Sequence, residues 1–246
     1  MLHSFLIGLI ATSSLVLGGL ITSWFSLSKK ALGIIMAFGA GALISAVAYE
    51  LTYEAVKTAR GTYFPGFGFF TGAFVFYFSD RLIENLGAKD RMAIGASHST
   101  KIVIPMILAI ILDGIPESIV IGLGIFEEGK VSTAMLVAVF ISNLPESIAA
   151  STGMKSGGWG FKKIILLWFV LAIVFALASL AGFSLFTETS KEWLSFIQAF
   201  AAGAILMMLA NTMMPESYEH GGKLAGVFTV LGFAVSVMVV ILEHST

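Results

Sequence analysis

Apolar residues fall along the chain in eight long runs separated by short polar connections: roughly 3–27, 31–55, 66–84, 101–124, 132–154, 162–186, 194–214 and 223–243. Each is close to the ~20 residues that an α-helix needs to cross a hydrocarbon core. The pattern predicts an all-α polytopic membrane protein: eight transmembrane helices forming one domain over residues 1–246. The first run lacks a basic leading segment, is too long for a signal peptide and is followed by Lys29 and Lys30, so it reads as an uncleaved span. No soluble domain fits between the spans.

Composition agrees. The 246 residues are 57% hydrophobic and 12% charged, with a mean hydropathy of +0.95, against roughly 45–50% apolar and 25% charged in a soluble domain. A net charge of −1 argues against nucleic acid as a partner, and the absence of cysteine removes disulfides, thiolate metal sites and cysteine nucleophiles together.

Basic residues near span ends stay cytoplasmic. One set of alternate loops holds ten, Lys29, Lys30, Arg81, Lys89, Arg91, Lys101, Lys155, Lys162, Lys163 and Lys223, and the other holds four, Lys57, Arg60, Lys130 and Lys191. This asymmetry predicts both termini outside, in the plasma (cell inner) membrane.

The chain also repeats itself. FGAGALISAVAYELTYEA (38–55) aligns without gaps to FAAGAILMMLANTMMPES (200–217), setting Phe38 on Phe200, Gly41 on Gly203 and Glu54 on Glu216. GIPES (114–118) on the fourth span and NLPES (143–147) on the fifth form a second pair. In the topology above the members of each pair run in opposite directions, the inverted-repeat architecture of secondary transporters with a site near the midplane.

That midplane region carries the candidate chemistry. Asp113, Glu117 and Glu146 fall deep within spans, where each ionised carboxylate costs at least about 2.5–3.5 kcal/mol, and no Lys or Arg lies in a span interior to offset them. They are therefore protonated, hydrated or compensated by something the chain does not supply, and a cation is the simplest compensation. Asp113 and Glu117 share one helix face, as do Ser142 and Glu146, with Asn143 three residues before Glu146. Pro116 and Pro145 cannot donate to the carbonyls of Leu112 and Ile141, which frees two more oxygens beside the carboxylates. Glu50 and Glu54 on the second span, and Asn211 and Glu216 on the seventh, are candidate pathway residues. Met207, Met208, Met213 and Met214 read mainly as apolar gap-fillers.

At these residues the chain resembles the ZIP (Zrt/Irt-like) family of divalent metal transporters. The family's fourth-span pattern H-N-x-P-E-G is similar to Asp113-Gly114-Ile115-Pro116-Glu117-Ser118, its fifth-span counterpart to Ser142-Asn143-Leu144-Pro145-Glu146-Ser147, and its second-span ending H-L-x-P-E-A to Glu50-Leu51-Thr52-Tyr53-Glu54-Ala55. The resemblance implies eight spans, outside termini, and metal ligands at Asp113, Glu117, Ser142, Asn143 and Glu146. The departures from the family are equally specific. Asp113 and Ser142 stand at histidine-type positions, Gly114 replaces an Asn, and nothing between Lys163 and Glu188 is charged, so a second metal in the manner of some members is not expected. The family's His-rich loop is reduced to His98.

The expected function is movement of divalent metal cations of the zinc, iron and manganese class toward the cytoplasm through a carboxylate-rich site between spans four and five, the direction being implied by the resemblance alone. The metal is substrate; no resident cofactor and no enzymatic activity are expected. Expected partners are the ion and the bilayer, with self-association left open. Two alternatives stand beside it. In a proton-coupled carrier or channel for another cation, Glu117 and Glu146 would relay protons. An intramembrane hydrolase is disfavoured, because the span interiors hold no His for a Ser–His pair and only one Asp.

Overall fold

The computed structural model describes residues 1–25, 27–59, 61–86, 100–128, 132–186 and 189–245. His98 and the loop lysines and arginines Arg60, Lys89, Arg91 and Lys130 lie outside the described residues.

The described residues fold into helical rods that follow the apolar runs: α1 (Leu2–Trp24), α2 (Lys29–Thr58), α3 (Phe64–Asn85), α4 (Thr100–Glu128), α5 (Thr133–Ser156), α6 (Phe161–Ser184), α7 (Lys191–Gly221) and α8 (Lys223–Ser245). Local chemistry sets their ends. Ser28 caps α2 by accepting from the Ala31 amide at 3.2 Å, and Ser132 caps α5 by accepting from Met135 at 3.1 Å. Pro65 opens α3, where its missing N–H is not needed. Gly222, with φ of 60°, ends α7. α7 thus runs past the expected boundary at residue 214, to Gly221; α4 reaches Glu128.

Seven of these helices are long and apolar enough to cross a membrane, which makes the chain an integral membrane protein. The exception is α3, rich in Phe and Gly and carrying Asp80, Arg81 and Glu84.

In lipid no hydrophobic force drives helix against helix, so close approach through small residues does that work. The backbones touch at glycines. A side-chain carbon at Gly232 of α8 would collide with the Phe38 carbonyl of α2, and one at Gly41 would collide with the Thr229 carbonyl. On the other side, Gly72 of α3 meets the Phe200 carbonyl of α7, and Gly203 meets the Phe69 carbonyl. α1 and α6 are clasped by reciprocal bonds, Ser4 Oγ donating to the Ser179 carbonyl at 2.9 Å and Ser179 Oγ to the Ser4 carbonyl at 3.1 Å. Around these contacts α2, α4, α5 and α7 converge on one core that includes Met36, Leu43, Val120, Val139, Ile205 and Leu209. The outer helices turn apolar side chains outward, among them Phe67, Phe70, Phe74 and Phe78 on α3 and Val230, Met238 and Ile241 on α8.

α2 and α7 share one further feature. Each passes from α-helix into a π-helical stretch, Val47–Tyr53 and Leu209–Met213, and back again. These stretches begin at aligned positions of the repeated segments. A π-turn shifts the register of the residues after it, and such turns gather at functional sites.

Candidate functional site

Pro116 of α4 and Pro145 of α5 both lie inside continuous helices. Asp113, Glu117, Ser142 and Asn143 are all buried, with exposures of 8%, 2%, 4% and 3%. Asp113, Glu117, Ser142 and Glu146 line one small cavity of about 30 Å³, and α7 closes it with Met208, Thr212, Met213 and Glu216. Four carboxyl groups and two hydroxyls thus surround a space with, among the described residues, no Lys, Arg or His on its wall.

Two oxygens on the wall have unused hydrogen-bonding capacity. Glu117 Oε2 is shut away from solvent with no hydrogen-bond partner, an arrangement that costs the full desolvation of the atom unless something else satisfies it. Ser142 Oγ donates its proton to the Val139 carbonyl at 3.0 Å, which leaves its lone pairs for another partner. Among the described residues, however, no group of three or more His, Cys, Asp or Glu stands close enough together to hold a metal ion unaided.

Not every expected residue reaches this cavity. Asn143 is buried but does not line it, and its amide nitrogen has no hydrogen-bond partner. Asn211 is exposed and turned away. Glu216, a candidate pathway residue in the sequence, stands on the wall itself, while Met208, Thr212 and Met213 join it without having been singled out as ligands. Their signal lay in the repeat: Thr212 aligns with Glu50 and occupies the equivalent π-helical stretch.

Glu50 and Glu54 line a second and larger cavity of about 520 Å³, between the C-terminal halves of α2 and α4 and the N-terminal ends of α5 and α7. Lys57 and Lys191 also line it, and Lys57 pairs with Glu54 at 3.0 Å. The pair is largely solvent-exposed on the lysine side and contributes little to stability. At the opposite end of the bundle α2 and α7 meet closely: a side-chain carbon at Gly33 of α2 would stand 2.6 Å from the Gly221 amide of α7. Gly39 packs at the level of the small cavity, where a side-chain carbon would stand 3.0 Å from the Cα of Ser142 on its wall.

No protein-family model matches the chain, and no curated protein sequence matches it.

Proposed function

We propose that the chain is an eight-span transporter that carries divalent metal cations of the zinc, iron and manganese class toward the cytoplasm, with the ion passing between α4 and α5. The observation that carries the reading is the Glu117 carboxylate: buried, with one oxygen lacking a partner, on a cavity wall holding three further carboxyls and no basic side chain. A divalent cation would offset that charge at the position where the protein does not. Because three acids do not meet at one point, the ion is held by a subset of Asp113, Glu117, Glu146 and Glu216 together with Ser142 or Thr212 oxygens and retained water.

The access path follows from the inverted repeat. α2 and α3 correspond to α7 and α8, and the paired contacts Phe38–Gly232 with Gly41–Thr229, and Phe200–Gly72 with Gly203–Phe69, obey the same correspondence. The large cavity opens toward the α2–α3, α4–α5 and α6–α7 connections, the side that the lysine and arginine distribution assigns to the exterior of the plasma membrane, with both termini there. The closed contact at Gly33 lies on the other side. This conformation is therefore outward-facing in the proposed orientation, while the direction of transport rests on the chain's likeness to the ZIP pattern at Asp113–Ser118 and Ser142–Ser147 alone.

The absence of a three-acid cluster among the described residues favours a second reading, in which Glu117 and Glu146 relay protons for a carrier or channel of another cation. Flux into liposomes across a panel of divalent ions, with wild type, Glu117→Gln and Glu146→Gln, separates the two. Metal uptake lost in both variants supports the first reading. A proton flux that depends on both glutamates, with no divalent ion moved, supports the second.

A further inference from the structure

A different cavity lies at the closed end of the bundle. α5 ends there on Gly158, whose φ of 84° is a left-handed conformation suited to glycine. The Trp159 amide reaches back to the Met154 carbonyl at 3.0 Å and the Gly158 amide to Lys155 at 3.1 Å, a Schellman turn. The turn sets Trp159 at the rim of a cavity of about 150 Å³ enclosed by the ends of α1 and α5 and the start of α6.

Its wall is built for an anion. Lys155 lines it, and its ammonium makes a long hydrogen bond, 3.5 Å, to the Thr22 carbonyl. Ser151, 1% exposed, also lines it; its oxygen accepts from Trp168 Nε1 at 2.7 Å, so its own proton is left to donate. No Asp or Glu is among the described residues that line it. Lys163 sits with Nζ 3.8 Å from the centre of the Trp159 ring, adding a second fixed positive charge at the rim. The volume equals roughly five waters at about 30 Å³ each, which suits a phosphate group and not an entire lipid. From the rim, the exposed side chains Phe161, Leu166, Phe169 and Val170 continue along α6 as an apolar surface on which an acyl chain can lie.

We infer that this cavity binds the phosphate of an anionic glycerophospholipid, with Lys155 and Ser151 as its donors, Lys163 as a rim charge and Trp159 as the interfacial wall. Basic pockets between membrane helices bind anionic headgroups in this way. The apolar run on α6 is what selects a lipid over a soluble phosphate.

The test uses the purified full chain in neutral detergent, titrated with phosphatidylglycerol, phosphatidylcholine or inorganic phosphate, reading the melting temperature and the lipid retained in native mass spectra. Phosphatidylglycerol should raise the melting temperature and stay bound, whereas phosphatidylcholine and inorganic phosphate should not. Lys155→Gln should weaken phosphatidylglycerol binding roughly fivefold, and Lys155→Arg should retain it. Equal stabilisation by phosphatidylcholine, full stabilisation by inorganic phosphate alone, or unchanged affinity in Lys155→Gln would each overturn the assignment. Photoreactive phosphatidylglycerol gives a measurement on wild type alone: cross-links should map to residues 151–166, and cross-links confined to other helices would equally overturn it.

Discussion

Gly39 lies so close against Ser142 that a side-chain carbon at position 39 would stand 3.0 Å from the Ser142 Cα. The backbone of α2 thereby forms one flank of the fifth-helix segment that carries Ser142 and Glu146, and the carboxylate cavity is held shut on that side by contact between main chains. Gly39→Ala sets two effects against each other. Alanine gains about 1 kcal/mol of helix propensity, while overpacking a tight contact costs about 1–3 kcal/mol. Overpacking should win, because the neighbour is backbone and gives little. A lowered melting temperature with reduced flux is expected, and an unchanged melting temperature would mean that α2 and α5 separate freely here.

Neutralising the buried carboxylates should act on transport and not on folding. Glu117 Oε2 makes no hydrogen bond that Gln would break, and removing a charge from a low-dielectric site relieves its desolvation. Glu117→Gln should therefore melt at or above the wild-type temperature while losing most transport. A clear drop in melting temperature would assign Glu117 a structural role.

The helices were legible because twenty apolar residues in a row leave few other folds, and the deep carboxylates were legible because a charge has no reason to be there without a partner. Other features were not. A π-helical stretch such as Val47–Tyr53 has no residue preference of its own, since its extra residue is accommodated by packing. Met208 and Met213 look in sequence like any apolar filler, and only their position opposite Asp113 and Glu117 puts them on the cavity wall. Asn143 comes directly after Ser142, and one residue along a helix turns a side chain by about 100°, which is why one lines the cavity and the other does not. α3 fell short as a span by composition because Asp80, Arg81 and Glu84 lie within it, while its Gly68 and Gly72 serve contact with α7.

The two sets of glycine contacts make an internal comparison. Gly41→Ala drives a methyl group into the Thr229 carbonyl, and Gly203→Ala drives one into the Phe69 carbonyl. If the helix pairs are related by the repeat, both substitutions should destabilise to a similar degree, by about 1–3 kcal/mol. Gly226→Ala, with open space around it, should be neutral or slightly stabilising. Thermal melts of the three variants under one set of conditions decide it, and a large difference between the first two would break the proposed correspondence.

The chain has no cysteine, so single introduced cysteines report orientation without background. Replacements at the exposed residues His3 and Lys57 should react with a membrane-impermeant maleimide applied to intact cells, and those at the exposed Lys155 and Lys162 should react only after permeabilisation. Labelling of Lys155→Cys from outside would reverse the orientation and with it the outward-facing assignment.

Ligand chemistry gives the metal preference. The described residues of the cavity wall offer carboxylates, hydroxyls and two thioethers, with no imidazole or thiolate among them. Oxygen donors suit Mn²⁺ and other hard ions, whereas imidazole favours Zn²⁺. At a given site the Irving–Williams order still ranks Zn²⁺ above Mn²⁺, so the wild-type site should bind zinc but discriminate for it weakly. Asp113→His adds one borderline donor and removes one negative charge, and the lost charge weakens the hard ion more than the new nitrogen can restore. The ratio of Zn²⁺ to Mn²⁺ uptake should rise in Asp113→His, by about tenfold if the nitrogen contributes ~1.4 kcal/mol of selective binding. Competition between the two ions in wild type and variant, at one pH and one ionic strength, measures that ratio directly. A ratio that stays level or falls would remove Asp113 from the ligands and leave Glu117, Glu146 and Glu216 as the charged part of the site.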